Sequence, residues 1–165
     1  MFICENPSLT GVEKAHVRTM SGGGPSIEDQ WCGGVGSNCV KRFRPALCEL
    51  GLKTTAPLEP GGWRCYITNV IKEADVVGDF NTRNKEELAA AWADILAWEI
   101  QQVSPKTIFT VGNASSNLVA FLQNRKLIPA APRPHKVMHY STRGAGITDA
   151  VVRASMVRDI RAGLA

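Results

Sequence analysis

Short apolar runs alternate along this chain with stretches whose apolar residues return every three or four positions. The runs are Phe2-Ile3-Cys4, Cys65-Tyr66-Ile67-Thr68-Asn69-Val70, Thr107-Ile108-Phe109-Thr110-Val111 and Lys136-Val137-Met138-His139-Tyr140. Their β-branched and aromatic content suits buried strands, and Gly112 ends the third. Between them, Cys39, Phe43, Leu47 and Leu50 share a helical face that Gly51 stops. Leu88, Trp92, Ile95 and Glu99 mark a second helix, with Ala91 and Leu96 beside that face. Leu118, Phe121 and Leu122 mark a third, entered through Asn113 or Ser115 as its cap. Ile147, Val151, Met156 and Ile160 mark the last. Strand and helix thus alternate four times, which predicts a single α/β domain over residues 1–165. The expected fold is a three-layer α/β/α arrangement around a central, mostly parallel four-stranded sheet.

Composition narrows the class. The 165 residues are 44% hydrophobic and 21% charged, ordinary values for one globular domain. A net charge of +4 excludes a strongly basic, histone-like chain. The longest apolar stretch, Leu88 to Ile100, carries Asp94 and Glu99 and falls short of the ~20 residues of a membrane span. Met1 to Glu5 has neither a basic segment nor a cleavable apolar one, so no secretory signal is expected. Cysteines 4, 32, 39, 48 and 65 are odd in number and form no CxxC pair. Reduced thiols, mostly in the core of a cytoplasmic protein, are expected over a disulfide framework.

Open parallel sheets bind ligands outside the carboxyl ends of their strands. The residues there are Glu5-Asn6-Pro7-Ser8, Asn69, Gly112-Asn113 and His139-Tyr140-Ser141. A long loop, Asn6 to about Asp29, follows the first strand and contains Gly22-Gly23-Gly24-Pro25. An Asn amide presents a donor and an acceptor side by side, which suits a nucleobase edge. A histidine can donate a hydrogen bond to developing negative charge. Trp31 offers a flat face for stacking. Each also has a plain structural alternative: Asn6 before Pro7 as a turn, Asn69 as a strand end, His139 and Trp31 as packing residues.

Together, in this order, Glu5-Asn6-Pro7-Ser8, Tyr66-Ile67-Thr68-Asn69-Val70-Ile71-Lys72 and His139-Tyr140-Ser141 resemble the three motifs of the uracil-DNA glycosylase superfamily. Trp31-Cys32-Gly33-Gly34-Val35-Gly36 is similar to the family's aromatic and glycine segment, and Ser104 to Gly112 to its third strand. The resemblance runs over essentially the whole chain. It implies hydrolysis of the N-glycosidic bond of a damaged base, uracil foremost, flipped out of single- or double-stranded DNA. Asn6 then matches the residue that orients the attacking water, and His139 the donor to the departing base. Asn69 matches the reader of the base edge and Trp31 the stacking aromatic, with Pro7 and Ser8 beside the base. Glu5 stands next to the water site, as an assisting carboxylate or as an ordinary polar strand end. Tyr140, Ser141 and Arg143 fall where the family meets DNA. The implied protein is a monomer with no cofactor, metal or membrane partner.

The chain departs from the family in three places. Tyr140 stands where the third motif has proline, which bears on the rigidity of that loop. Ser8 stands where uracil-specific members have a tyrosine that excludes the thymine methyl, so looser discrimination against 5-substituted pyrimidines is expected. Glu73 follows Lys72 where iron–sulfur members have a cysteine, and the N-terminal cysteine pair is missing, so no cluster is expected.

Other chemistries fit less well. Gly34-Val35-Gly36 imitates a dinucleotide fingerprint but follows no strand. His135 and His139 have zinc-protease spacing, yet on a strand they would sit roughly 13 Å apart. A Cys–His pair using Cys4 or Cys32 has no local signature. Two competitors remain: a catalytically weak or inactive DNA- or nucleotide-binding module of the same fold, and a hydrolase of free nucleosides. The stretch from Ile100 to Thr148 contains no Asp or Glu but carries Lys106, Arg125, Lys126, Arg133, Lys136 and Arg143. On the sequence this reads as one DNA-facing edge bordering the His139 loop.

Overall fold

The central strand is also the first. β1 (Phe2–Cys4) is flanked by β2 (Ile67–Asn69) and β3 (Phe109–Val111), and β4 (His135–Val137) closes the sheet in the order β2-β1-β3-β4. This is a computed structural model describing residues 1–6, 37–59, 61–73 and 82–165. All pairings are parallel, with Cys4 opposite Asn69, Phe2 opposite Phe109 and Val111 opposite Val137. A strand covered on both faces must be apolar on both, and β1 is buried throughout. β4, at the border, buries only Val137.

Alternation along the strands sorts the core into two layers. Phe2, Cys4, Phe109, Val111 and Val137 pack against a π-helical segment (Cys39–Phe43), α1 (Arg44–Glu49) and α5 (Asp149–Leu164). Phe2 stacks on Phe109 at 4.9 Å and meets Phe43 edge-on at 5.5 Å. Ile3 and Ile108 face the other layer, built from α2 (Lys85–Ala91), α3 (Ala93–Val103) and α4 (Asn113–Asn124). The expected α/β fold with helices on both faces is therefore present, and its sheet is wholly parallel.

Several local expectations are corrected. The second helix divides at Trp92, and its core face is Ala89, Ala93, Leu96 and Ile100, while Ile95 and Ala91 point to solvent. Its start is set by Asn84, whose side chain accepts from the N–H groups of Glu86 and Glu87. Gly112, rather than Asn113 or Ser115, occupies the cap position of α4, because the Ser115 hydroxyl turns back to donate to the Val111 carbonyl at 2.8 Å. Thr148 caps α5, leaving Ile147 outside it, and Val151 is exposed. The last strand ends at Val137, so Met138, His139 and Tyr140 leave the sheet.

The basic stretch does not form one edge. α4 starts at the carboxyl end of β3 and runs back, which carries Arg125 and Lys126 to the amino edge. Lys106 and Arg133 precede β3 and β4 and lie at that same edge, whereas Arg143 follows β4. Cys4, Cys48 and Cys65 are free thiols, and burial pushes Cys4 to about 12 and Cys65 to about 11. Cys39 is disulfide-bonded, against the expectation of reduced thiols; pairing follows spatial proximity, which spacing in the chain does not reveal.

One polar atom inside the sheet has no counterpart. Thr110, in the middle of β3, is fully buried, and its hydroxyl has no hydrogen-bond partner among the described residues. Thr110→Val exchanges that hydroxyl for a methyl and is expected to stabilise the fold by about 1 kcal/mol, raising Tm by about 2–4 °C. Thermal unfolding of the two proteins checks this, and a lower Tm for the variant would refute it.

Candidate active site

Parallel pairing delivers all four strand ends to one edge. The strand order reverses between β1 and β3, and such switch points open a crevice between neighbouring loops. Glu5 and Asn6 leave β1 there, Asn69 ends β2 level with Cys4, Gly112 follows β3, and His139 lies two residues beyond β4. The Cys4 and Glu5 carbonyls accept from the N–H groups of Val70 and Ile71 at 2.8 and 2.9 Å, which fixes the ends of β1 and β2 together. The Gly112 N–H donates to the Val137 carbonyl at 2.9 Å and does the same for β3 and β4.

His139 sits against Gly112. A side chain at position 112 would place its first carbon 2.9 Å from both Cβ and Cδ2 of His139, and the backbone there has φ of +90°. The Ser141 N–H donates to Nδ1 of His139 at 3.0 Å. A ring nitrogen that accepts carries no proton, so the neutral ring holds its proton on Nε2 as a donor. Burial lowers the pKa of His139 below the usual 6.5, with the charge of Glu5 opposing the shift. The imidazole is thereby biased towards its neutral form.

The loop bearing His139 is tied at several points. Thr142 donates to the His139 carbonyl through its N–H at 3.0 Å and its hydroxyl at 2.7 Å. Asp159 of α5 accepts from the Met138 N–H at 3.1 Å. Tyr140 lies 4.4 Å from the His139 ring in a stacked pair and 5.7 Å from Phe43 on its way into the core. Burial, together with the charges of Cys4 and Glu5, pushes its phenol pKa well up. The ring is thus packed inward beside the histidine, while Arg143 is exposed on the same loop.

Two ion pairs support the β1 and β2 ends. Lys85, at the start of α2, lies 2.7 Å from Glu5. Glu99, an acid on the buried side of α3, accepts from Thr68 at 2.9 and 3.0 Å, from Tyr66 at 3.2 Å and from Lys72 at 2.5 Å. Burial lowers the pKa of Lys72, and its bonds to Glu99 resist that shift. Lys72 also donates to the Thr68 hydroxyl at 2.6 Å. Thr68 and Lys72 bracket Asn69, so this cluster holds the strand end from which Asn69 emerges.

Of the residues singled out from the sequence, Glu5, Asn6, Asn69, His139, Tyr140, Ser141 and Arg143 come from segments that meet at this one edge. Pro7, Ser8 and Trp31 lie outside the described residues. Sequence reasoning missed Gly112 as the seat of His139, and it missed Lys85 and the Glu99 cluster. Glu99 did carry a signal, since an acid on an apolar helical face calls for a buried partner. Among the described residues no three His, Cys, Asp or Glu side chains gather as a metal centre would require, and no helix is long and apolar enough to cross a membrane.

No curated protein and no solved structure matches this chain. A family model described as the uracil DNA glycosylase superfamily matches residues 1–156, a span that takes in all four strands and the segments carrying every site residue named above. The chain belongs to the uracil DNA glycosylase superfamily, a membership that supports a hydrolytic, glycosylase-type function in general.

Proposed function

We propose that this protein is a monofunctional DNA glycosylase that releases a damaged pyrimidine, uracil foremost, and leaves an abasic site for base excision repair. The observation that carries the proposal is the state of His139: a half-buried imidazole whose Nδ1 accepts from Ser141, leaving Nε2–H as a donor at the carboxyl edge. Loss of a pyrimidine breaks the bond between C1′ and the base nitrogen, and the electron pair leaves with the base. A neutral donor suits the resulting anion, because it stabilises charge on the pyrimidine oxygen without having to give up its proton.

The other strand ends divide the remaining work. Asn6 orients the water that adds to C1′; an amide does not take its proton as a carboxylate would, so that proton ends on the departed base anion, which is released neutral. Glu5, paired with Lys85 and close enough for its charge to act on His139, adds negative charge near an oxocarbenium-like sugar. Asn69 offers an acceptor and a donor to the N3–H and O4 edge of uracil, a pattern that cytosine reverses. Arg143, exposed beside the histidine loop, is the candidate phosphate contact, and Ser141 holds the ring that it follows. Pro7, Ser8 and Trp31 lie outside the described residues, and their role beside the base rests on the sequence resemblance alone.

The test uses single- and double-stranded oligonucleotides carrying one uracil, with alkaline cleavage to report abasic sites. Wild-type protein is expected to cut, Asn6→Ala to lose about 10²-fold or more in kcat, and His139→Ala about 10²–10³-fold. Salt-sensitive binding with no abasic sites would point instead to a binding module, and base release from free nucleosides to a nucleoside hydrolase.

The pH profile follows from the lowered pKa of His139. Protonation removes the neutral form, so kcat falls as pH drops through a midpoint below 6.5 and levels off on the alkaline side of that midpoint. The same shift makes the unfolded chain bind the extra proton first, so stability also declines as pH falls through that window. An acid limb centred above 6.5 would contradict this. Gly112→Ala is expected to displace His139 and cost about 10²-fold in kcat. Activity within about twofold of wild type would show that the close approach to Gly112 is dispensable.

A further inference from the structure

Arg42 is a charged residue almost wholly inside the protein, 8% exposed, on the π-helical segment Cys39–Phe43. Nothing in the mechanism above uses it. A buried guanidinium is costly unless its donors are met, and here Nε and Nη1 are met by one loop and one helix start. Its Nη1 donates to the carbonyls of Tyr140 and Thr142, each at 2.9 Å, and its Nε donates to Asp149 at 2.7 Å. The two carbonyls flank Ser141, whose N–H fixes the His139 ring. The neighbouring Phe43 stacks on Tyr140 at 5.7 Å, so consecutive residues of the segment grip the loop by its backbone and by its ring. π-Helical turns recur at functional sites, where they redirect side chains that a regular helix would aim elsewhere.

We propose that Arg42 is a positioning residue for the proposed reaction: its fork on the Tyr140 and Thr142 carbonyls holds the Ser141 N–H against His139 and so fixes which ring nitrogen carries the proton. It touches no substrate and acts through His139. Asp149 orients the fork from the start of α5, with its carboxylate half-exposed. Lysine at position 42 keeps the charge but, with one nitrogen, does not span both carbonyls and the carboxylate together.

The proposal rests on the glycosylase reading for its kinetic arm only. Arg42→Met, Arg42→Lys and Asp149→Asn are compared with wild type by Tm, by kcat and KM on uracil-containing single-stranded DNA, and by nitrogen NMR of the His139 ring. The expected result is a single Nε2–H tautomer in wild type and a mixture of tautomers in both Arg42 variants. With it comes a fall of about tenfold or more in kcat and a KM within about threefold, the split expected when a reacting group is misplaced and substrate binding is kept. Asp149→Asn is expected to lie between wild type and Arg42→Lys. If Arg42→Met does not fold, Arg42→Lys and Asp149→Asn decide. An unchanged tautomer in the folded Arg42 variants overturns the proposal, as does full activity in Arg42→Lys. If wild type releases no base, the glycosylase reading fails and the ring spectra still settle the role of Arg42.

Discussion

The contact between Gly112 and His139 is the constraint on which the candidate site depends. At 2.9 Å from any Cβ that position 112 would carry, the histidine occupies space that only glycine leaves open. The same residue has a positive φ, begins α4, ties β3 to β4 through its N–H and receives the Ser115 hydroxyl on its carbonyl. A shift of the histidine would therefore be felt in the sheet, and a shift of β3 would be felt at the histidine. The switch between β1 and β3 provides a crevice, and Gly112 determines how far into it the imidazole reaches.

A second constraint acts from the opposite side of β1. Asn69 lies on a strand of three residues at the border of the sheet, with β1 as its sole partner strand among the described residues. Such a short strand needs side-chain support, and Glu99 supplies it through Thr68, Tyr66 and Lys72. Replacing this cluster by apolar groups would not necessarily lower stability, because buried ion pairs give back in Coulomb energy roughly what desolvation costs. What the cluster gives is direction. Three donors converge on one carboxylate, so the turn after β2 has one well-satisfied arrangement. In the motif that suggested base recognition, Thr68 and Lys72 thus fix the backbone of the strand end that carries Asn69, the residue proposed to read the edge of the base.

The parts of this structure legible in the sequence are those governed by local pattern. The apolar runs gave β1, β2 and β3, and the strand ends brought Glu5, Asn6, Asn69 and His139 to one edge before any contact was known. Misreadings arose where tertiary bonds outweighed periodicity. Periodicity placed Ile95 and Glu99 on one core face, but the face turned so that Glu99 met Thr68 and Lys72 while Ile95 went to solvent. The run Lys136–Tyr140 looked like a strand, yet His139 and Tyr140 satisfy their backbone through Thr142 and Arg42 and leave the sheet after Val137. Arg42 itself reads in sequence as one more surface cation, since its partners lie about a hundred residues away. The basic stretch failed for a topological reason: a helix that returns across the sheet carries Arg125 and Lys126 to the far edge, where Lys106 and Arg133 also lie.

That loop also shows how one local rule is exchanged for another. Proline would restrict the backbone after His139 through its ring, by reducing the freedom of the chain before folding. Tyr140 lacks that restriction, and the loop is held instead by contacts made only in the folded state: the stack between His139 and Phe43, and the Arg42 fork on the carbonyls either side of Ser141. The two solutions differ in what they couple. A proline stiffens the loop by itself, whereas Arg42 and Phe43 make the loop's geometry a property of the π-helical segment that packs on the first-strand core. His139 is therefore referred to the sheet through Gly112 and to a helix through Arg42. An imidazole fixed from both sides is already oriented, so in the proposed reaction little reorganisation would remain to be done as charge develops on the departing base.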